Sequence, residues 1–362
     1  MFTLSKVSLN NFKCFAAPAE PNEVELRRLT LFYGYNNAGK SAFLRGICMT
    51  LNSLIGDGPE PLTCALPVFS QGMTLGDVVT KDKGSHIEIG IELRQEPSPS
   101  TTNLTWRIVD LPERGTHVVD RFRATSGQGG RVILDARWRA GEESDGSLSR
   151  SYEVSFEGSS PVYIDFRFHG LLPTAGAQAD VPEGLRRFLD AVRKTSPKKA
   201  FWLSSHRIPS RRYFPKQPAW FDLDANGDGF ESLLFQSWRR PANLALFEAV
   251  SAWYERNLKQ KLTIVEHARE FEIAFAPSGT PYRVNICDVG QGLQETLPLL
   301  TVLHAYRLDD FSMTQVAVEE PESHLHPSLH AALGREFCSL VGQPGAPRVL
   351  LETHSQNLLL AV

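Results

Sequence analysis

The fold of this chain is decided by the stretch GYNNAGKS, which occupies Gly34–Ser41. It satisfies the pattern G-x-x-x-x-G-K-[ST] at every fixed position, follows the apolar run Leu29–Tyr33 and precedes a helical apolar pattern. Glycines in such a turn let backbone N–H groups point at phosphate oxygens, and the following helix N-terminus adds favourable potential. We therefore predict a phosphate-binding loop for ATP, in which Lys40 reaches the β- and γ-phosphates and Ser41 ligates Mg²⁺. The residues predicted to contact the nucleotide are Gly34, Asn36, Asn37, Ala38, Gly39, Lys40 and Ser41.

A pair of carboxylates follows an apolar run late in the chain, in the stretch QVAVEEPESHLHP that begins at Gln315. Parallel α/β sheets bind ligands at the carboxyl ends of their strands, so we expect this pair to face the phosphate-binding loop. Glu319 is assigned to Mg²⁺, directly or through water, and Glu320 to the general base that activates the attacking water. A solvated acidic turn is the alternative interpretation.

A histidine ends the next buried-looking strand, in RVLLETHS at Arg348–Ser355. From that position His354 can hydrogen-bond the γ-phosphate or the attacking water. A lone histidine at a strand end is more often structural, so its position beside the other motifs is what favours the catalytic role.

A glycine-rich stretch, CDVGQGLQE at Cys287–Glu295, opens a predicted helix between these strands. Helix N-termini with glycines are anion-binding sites. One loop already holds one nucleotide, so a second anion site favours the γ-phosphate of a partner protomer; a plain glycine turn is the alternative. The residues assigned to it are Gly290, Gln291 and Gly292.

The remaining pattern indicates an α/β fold. Short alternating strands between about Ile87 and Phe168 predict a mainly antiparallel lobe. Helices are predicted at 182–195, 230–238 and 243–259, and the alternation of helix and strand after Gln291 predicts a parallel sheet with crossover helices. The strands predicted in the lobe begin at His86, Asn103, Arg131, Tyr152 and Val162.

Composition favours a cytoplasmic protein without a membrane anchor. The longest apolar runs, such as Leu297–Val302, are far shorter than the roughly 18 residues that span a bilayer. The N-terminus lacks the apolar core of a signal peptide. Five scattered cysteines without a Cys-x-x-Cys pair indicate a reducing compartment.

A basic segment at 186–216 contains ten Lys/Arg and one acid, Asp190, in a chain of net charge −3. Aromatic residues lie among these charges, a pattern compatible with phosphate contacts and base stacking on DNA or RNA. The alternative is a solvated helix face together with an internal use of Arg207.

Two possible metal sites are disfavoured. Asp222–Gly227 imitates the start of a calcium-binding loop, but Leu233 occupies the place of the bidentate glutamate. Glu322, His324 and His326 resemble part of a zinc site that lacks further ligands.

The order of these motifs resembles the ABC/SMC-like ATPases of the overcoming-lysogenization-defect (OLD) group, and among them the standalone bacterial AAA ATPases whose heads carry a long middle insertion. Two further stretches resemble that branch, FWLSSHRIPSRRY at Phe201–Tyr213 and GDGFESLL at Gly227–Leu234. The resemblance runs from about Phe2 to Leu360 and is weak across 90–180.

The resemblance implies a P-loop NTPase of the ABC/SMC-head type, with an antiparallel β insertion lobe and a helical segment. Residues 1–90 would form the N-terminal part of the head, 91–285 the insertion, and 286–362 the C-terminal part. Two heads would form a homodimer, or a higher even oligomer, with each ATP between Lys40 of one copy and residues 290–292 of the other. Pro321–Pro327 would be the D-loop that crosses the interface, and His354 the switch histidine.

Related ATPases act in bacterial anti-phage systems with a nuclease or another effector. The resemblance therefore implies Mg²⁺-dependent ATP hydrolysis that powers or gates a defence or DNA-processing complex with a separate nuclease or toxin. A nucleotide-gated scaffold with little turnover is the alternative. A repair head of the SMC kind is disfavoured because no heptad run long enough for a coiled-coil arm is present, and no nuclease motif is recognisable in this chain.

Several positions depart from the family pattern. Gly290 stands where ABC proteins usually have serine, and Glu319 replaces the usual aspartate. The Q-loop glutamine has only Gln71 as a candidate. The chain ends at Val362, just after the helix of the switch histidine begins, which suggests that a C-terminal part is missing.

Overall fold

The computed structural model describes residues 2–16, 22–56, 60–64, 73–80, 84–95, 100–127, 129–141, 147–175, 181–196, 200–207, 211–216, 223–240, 244–307, 315–343 and 346–362. The chain forms two compact units. The first unit comprises Met1–Arg27 and Ser41–Lys199, and the second comprises Arg28–Lys40 and Ala200–Val362. The division predicted at 90 and 285 separates parts of an ATPase head from an insertion, and it stays a prediction.

Strands and helices are numbered along the chain. The strands are β1 (Phe2–Asn10), β2 (Glu23–Glu25), β3 (Leu29–Tyr33), β4 (His86–Gln95), β5 (Thr101–Leu111), β6 (Thr116–Ser126), β7 (Val132–Trp138), β8 (Ser151–Phe156), β9 (Val162–Phe168), β10 (Pro173–Ala175), β11 (Ala200–Leu203), β12 (Phe214–Pro215), β13 (Gln260–Glu266), β14 (Glu270–Pro277), β15 (Val284–Asn285), β16 (Gln315–Glu319) and β17 (Arg348–Thr353). The helices are α1 (Lys40–Leu54), α2 (Leu75–Val78), α3 (Glu183–Thr195), α4 (Phe230–Arg239), α5 (Ala245–Leu258), α6 (Gln291–Arg307), α7 (Pro327–Val341) and α8 (Gln356–Ala361).

The first unit contains a nine-stranded antiparallel sheet in the order β10-β9-β8-β7-β6-β5-β4-β1-β2. Buried and more exposed side chains alternate along its strands because one face of the sheet is buried. In β5, for example, Leu104, Trp106 and Ile108 are at most 1% exposed. The indole N–H of Trp106 donates to the carbonyl oxygen of Leu171 over 2.7 Å, so the polar group of this buried ring is satisfied. The predicted antiparallel lobe is thus present.

Strand β6 was absent from the sequence prediction for a physical reason. Opposite Arg107 and Ile108 of β5, the pairing skips Asp120, which forms a β-bulge. The bulge puts Val119 and Phe122 both on the buried face, three residues apart, and this spacing breaks the alternation on which strand prediction depends.

The second unit is built on a parallel four-stranded sheet in the order β11-β16-β17-β3, which confirms the predicted parallel sheet. All of β16 is buried, as is typical of parallel strands covered on both faces. A smaller antiparallel sheet, β12-β14-β13 with β15 on β14, packs in the same hydrophobic core as α4–α8.

The apolar pattern over Val24–Tyr33 predicts a single strand, and this prediction is wrong. The backbone changes partners: the N–H of Leu26 donates to Ser5, whereas the carbonyl of Arg28 accepts from Val349. The segment therefore divides into β2, antiparallel to β1, and β3, parallel to β17. Elsewhere α1 begins and ends where the apolar spacing predicted. No helix of the described ranges has both the length and the apolar character that crossing a bilayer requires.

Candidate functional site

The carboxyl ends of four parallel strands meet at one edge of the second unit's sheet. Thr353 pairs with Tyr33, Glu319 with Glu352, and Leu203 with Val318. Because the strands are in register, the segments that follow them all start at this edge. These segments are the loop after β3, the carboxylate after β16, the histidine after β17 and the buried arginine Arg207 after β11.

The loop after β3 has the backbone of an anion-binding nest. Asn37 and Gly39 adopt left-handed φ values of 65° and 87°, which turn successive N–H groups toward one side. A Cβ on Gly34 would meet no atom within 4 Å, so this glycine serves the loop conformation (φ 155°) and not close packing. The Lys40 ammonium is buried and donates to the carbonyl oxygen of Tyr35 over 2.8 Å. The cation is thus held within the loop itself.

The two carboxylates after β16 have different environments. Glu319, at the strand end, is 2% exposed, whereas 41% of the Glu320 side chain is exposed. Glu320 has a left-handed φ of 41°, and its N–H donates to the carbonyl oxygen of Glu352 over 2.8 Å. Non-glycine residues in this conformation are strained and concentrate at functional sites. The turn therefore directs Glu319 inward and Glu320 toward solvent.

Glu320 and His354 lie close together at the carboxyl edge of the sheet. Oε1 of Glu320 is 3.9 Å from Nε2 of His354, and Oε2 accepts from the hydroxyl of Ser323 over 3.1 Å. Both side chains are partly exposed. A carboxylate with one anchored oxygen and a neighbouring imidazole is suited to accept a proton from a water molecule.

A third carboxylate, Glu322, organises the turn that carries His354, whereas the sequence analysis placed it only in the D-loop and in the disfavoured zinc site. Its Oε1 accepts from the Thr353 hydroxyl (2.6 Å), the His354 N–H (2.8 Å) and the Ser355 N–H (3.1 Å). The residue is 8% exposed. The acidic stretch was visible in the sequence, but the three donors come from a segment about 30 residues away.

Replacing Glu322 with alanine is expected to lower the free energy of unfolding by about 3 kcal/mol, because a buried hydroxyl and two N–H groups lose their acceptor. Glu322→Gln keeps an acceptor oxygen in the same place and should cost about 1 kcal/mol. Denaturant titration of both variants measures the difference. Equal losses for the two would show that the carboxylate oxygen is not what holds this turn.

The glycine segment before α6 divides into an open and a packed part. Gly290 and Gln291 are exposed, and a Cβ on Gly290 would meet nothing within 4 Å. Gly292 is buried, and a Cβ there would lie 2.4 Å from the carbonyl oxygen of His324. No hydrogen bond of the described residues joins 290–292 to the loop at 34–40. Gly292 is therefore required for packing against the 321–327 turn, a role that the sequence did not indicate.

Gly292→Ala and Gly290→Ala form a matched pair. The first should lower the free energy of unfolding by about 1–3 kcal/mol, since the methyl group overlaps a backbone oxygen. The second places its methyl in open space and should change stability by about 0.5 kcal/mol or less. Thermal unfolding followed by circular dichroism compares them, and equal stability of the two variants would contradict the close contact.

The basic segment at 186–216 is divided between the two compact units, and residues 197–199 and 208–210 lie outside the described residues. In the second unit its charges have acidic neighbours: Arg212 lies 2.7 Å from Asp288 and Lys216 lies 2.6 Å from Glu266. Arg207 is buried, as the alternative interpretation expected. Binding of DNA or RNA by this segment stays a prediction.

The disfavoured metal motifs have other roles. His326 caps α7, with Nδ1 near the N–H and hydroxyl of Ser328. The backbone of Gly227 packs so closely against the Pro298 side chain that a Cβ on Gly227 would overlap it. Within the described ranges, no group of three or more His, Cys, Asp or Glu could hold a metal ion. Asp222 and Gln71 lie outside the described residues.

Comparison with known proteins agrees with this architecture. The chain resembles the SMC head domain from Thermotoga maritima (11% identity, TM-score 0.46, covering 99% of this chain and 92% of that one). It also resembles an Smc head with an extended coiled coil, bound to the C-terminal domain of ScpA derived from Pyrococcus furiosus. That match has 11% identity and a TM-score of 0.50, and it covers 100% of this chain and 92% of the other. A third match is an SmcHead bound to the C-winged helix domain of ScpA, with 12% identity and a TM-score of 0.49, covering 99% of this chain and 91% of the other. No curated protein sequence matches.

The fold is thus that of the SMC-head, ABC-like P-loop ATPases, a mixed α/β fold with a large antiparallel sheet. A protein-family sequence model matches residues 29–361, which span both the loop at Gly34–Ser41 and α8, the helix after His354. The chain therefore belongs to the family described as "AAA domain, putative AbiEii toxin, Type IV TA system".

Proposed function

We propose that this protein hydrolyses ATP to ADP and phosphate with Mg²⁺, at the carboxyl edge of the β11-β16-β17-β3 sheet. The observation that carries the proposal is the convergence at one edge of a phosphate-binding loop, a buried carboxylate and a Glu320–His354 pair. Each feature alone has a structural explanation. Together they supply the parts that phosphoryl transfer requires, which are an anion cradle, a metal ligand and a base.

The donor atoms fit Mg²⁺. A serine hydroxyl at Ser41, directly after the loop lysine, and the Glu319 carboxylate are hard oxygen ligands, and Mg²⁺ uses few protein ligands together with phosphate oxygens and water. When bound, the ion would neutralise charge on the phosphates. The N–H groups of residues 37–39 and the Lys40 ammonium would bind the same phosphates, for which Lys40 must leave the carbonyl of Tyr35.

Glu320 is proposed as the general base. Its turn points the carboxylate outward, one oxygen is anchored on Ser323, and the other is 3.9 Å from the His354 imidazole. His354 would donate a hydrogen bond to the γ-phosphate or hold the attacking water against Glu320. Glu322 would keep the backbone of His354 in place through the N–H that it accepts.

A dimer is proposed as the active state. Gly290 and Gln291 are exposed at the start of α6, where a helix N-terminus favours an anion, and in this copy they make no hydrogen bond to its own loop. A second copy's γ-phosphate is the anion that we assign to them. Membership of the OLD group, a cytoplasmic location and coupling to a separate nuclease or toxin in defence are parts of the same proposal. The family description, which names a type IV toxin–antitoxin system, supports a toxin–antitoxin context for this role.

The test is phosphate release by the purified protein with Mg·ATP, with and without DNA, beside light scattering in ADP and in ATP. We expect turnover that chelation of Mg²⁺ abolishes, and a larger mass with ATP. Stimulation by DNA would support the basic segment as a nucleic-acid contact. ATP binding without turnover would contradict hydrolysis and favour the nucleotide-gated scaffold.

A further inference from the structure

A buried arginine supports the turn that carries the proposed base. Arg207 follows β11, and its side chain is 0% exposed. Its Nη2 donates to the carbonyl oxygen of Glu319 over 2.9 Å and lies 3.4 Å from that of Glu320. The guanidinium therefore holds the backbone of both residues from inside the protein.

The other side of the guanidinium faces Glu295 of α6. Nη1 of Arg207 lies 3.9 Å from Oε2 of Glu295, whose side chain is 7% exposed. That distance is too long for a hydrogen bond. Neither of these two atoms, nor Nε of Arg207, has a hydrogen-bond partner among the described residues. Buried charges in an incomplete pair are costly, so a movement of about 1 Å that closes the pair would be favourable.

Glu295 also connects to the protein surface. Its Oε1 accepts from Nε2 of Gln291 over 2.7 Å and lies 3.7 Å from Nε2 of His324. Gln291 is exposed in the glycine segment, and His324 adopts a left-handed φ of 59°. One carboxylate thus links an exposed residue of the glycine segment to the arginine that holds the Glu320 turn.

Arg207 serves this link as a fixed cation. Burial lowers the pKa of Arg207 to about 10, against the opposing effect of the carboxylates of Glu295, Glu322, Glu320 and Glu319. The guanidinium therefore stays protonated at neutral pH. Its charge is available to whichever of these carboxylates comes closest.

We propose that Arg207 is a positioning residue for Glu320, and that Glu295 couples it to Gln291, so that a second copy's nucleotide on Gln291 adjusts the base. The inference rests on the proposed ATP hydrolysis and adds the path by which dimer closure reaches the base. When the partner's γ-phosphate engages Gln291, the first turn of α6 moves and the Arg207–Glu295 pair closes. An error of about 1 Å in a reacting geometry costs about 100-fold in rate, so a shift of this size is enough to keep a single copy slow.

The test uses the full chain with Mg·ATP and three variants, Arg207→Lys, Glu295→Gln and Gln291→Ala. Each should lower kcat about 10- to 100-fold, the equivalent of one charge-assisted contact. Arg207→Lys and Glu295→Gln should leave KM and the Kd for ATP unchanged, because neither residue is assigned to the nucleotide. Arg207→Lys keeps the charge but has a single nitrogen, which cannot both replace Nη2 at the two carbonyls and replace Nη1 opposite Glu295, so it should not rescue turnover. Arg239→Gln is the matched control, since this arginine side chain is 59% exposed on α4.

A double-mutant cycle separates coupling from simple destabilisation. If Glu295 and Gln291 act through the same series of contacts, the double variant should lose no more turnover than the stronger single variant. Glu295→Gln is isosteric, so this cycle stands even if Arg207→Lys fails to fold. The inference would be overturned by wild-type kcat in both single variants or by multiplicative losses in the cycle. It would also be overturned if the Kd of Arg207→Lys or Glu295→Gln rose in step with the loss of kcat. A wild-type protein without turnover would overturn the proposed hydrolysis, and this inference with it.

Discussion

Glu320→Gln is expected to bind ATP as tightly as the wild type and to lower kcat about 10²- to 10⁴-fold, the usual effect of removing a general base. The amide has the size of the carboxylate and can keep the contact with the Ser323 hydroxyl, but it cannot accept a proton from water. The loop that binds the phosphates is unchanged, so KM should stay near the wild-type value. Steady-state phosphate release and ATP binding measured by titration calorimetry provide the two quantities.

The same variant should accumulate as an ATP-bound dimer, because closure precedes hydrolysis in the proposed cycle. Light scattering with ATP should show a larger mass for Glu320→Gln than for the wild type after equal incubation. Glu248→Gln, on the exposed face of α5, is the matched control. Normal turnover in Glu320→Gln would show that another group is the base.

Lys40→Ala is expected to weaken ATP binding about 100-fold or more, since it removes a charge-assisted contact to two phosphates. The ammonium donates to the loop carbonyl of Tyr35, so the variant also loses a hydrogen bond within the loop. We therefore expect the melting temperature in ATP to rise less than in the wild type. Calorimetric titration gives the Kd, and a thermal shift with and without nucleotide gives an independent value.

Lys261→Ala, on the exposed edge of β13, tests whether loss of any lysine in this unit has the same effect. It should bind ATP like the wild type. If Lys40→Ala also binds ATP with unchanged Kd, the stretch at Gly34–Ser41 is a glycine turn without a nucleotide role, and the proposed function fails at its first step.

The parts of the site that the sequence predicted depend on local chemistry. The loop at Gly34–Ser41 has a spacing that constrains its backbone within eight residues, and the structure has its left-handed positions at Asn37 and Gly39. The Glu319–Glu320 pair was expected at the edge that faces the loop, because parallel sheets bind ligands at the carboxyl ends of their strands. His354, which follows the next strand, lies 3.9 Å from Glu320 at the same edge.

The parts that the sequence did not predict depend on contacts between distant segments. Arg207 stood in a basic run that is compatible with nucleic acid, and it donates to Glu319, which is 112 positions later. Glu322 organises donors 31 to 33 positions later, and β6 was hidden by a bulge that shifts its buried residues. Sequence periodicity cannot predict such partners, because it indicates only which residues of one helix or strand share a face.

The amino-acid pattern alone was enough to predict the loop at Gly34–Ser41, a parallel sheet in the last part of the chain and an antiparallel lobe. Motif spacing and apolar periodicity are local properties, and a stretch of ten or fifteen residues is enough to specify them. Only the tertiary structure decided which charges are buried and what they hold: Arg207 against the Glu319–Glu320 turn, Glu322 beneath His354, and Gly292 against the His324 carbonyl. The physical reason is that the free energy of a polar group depends on its burial and its partners, and these exist only after distant segments have packed together.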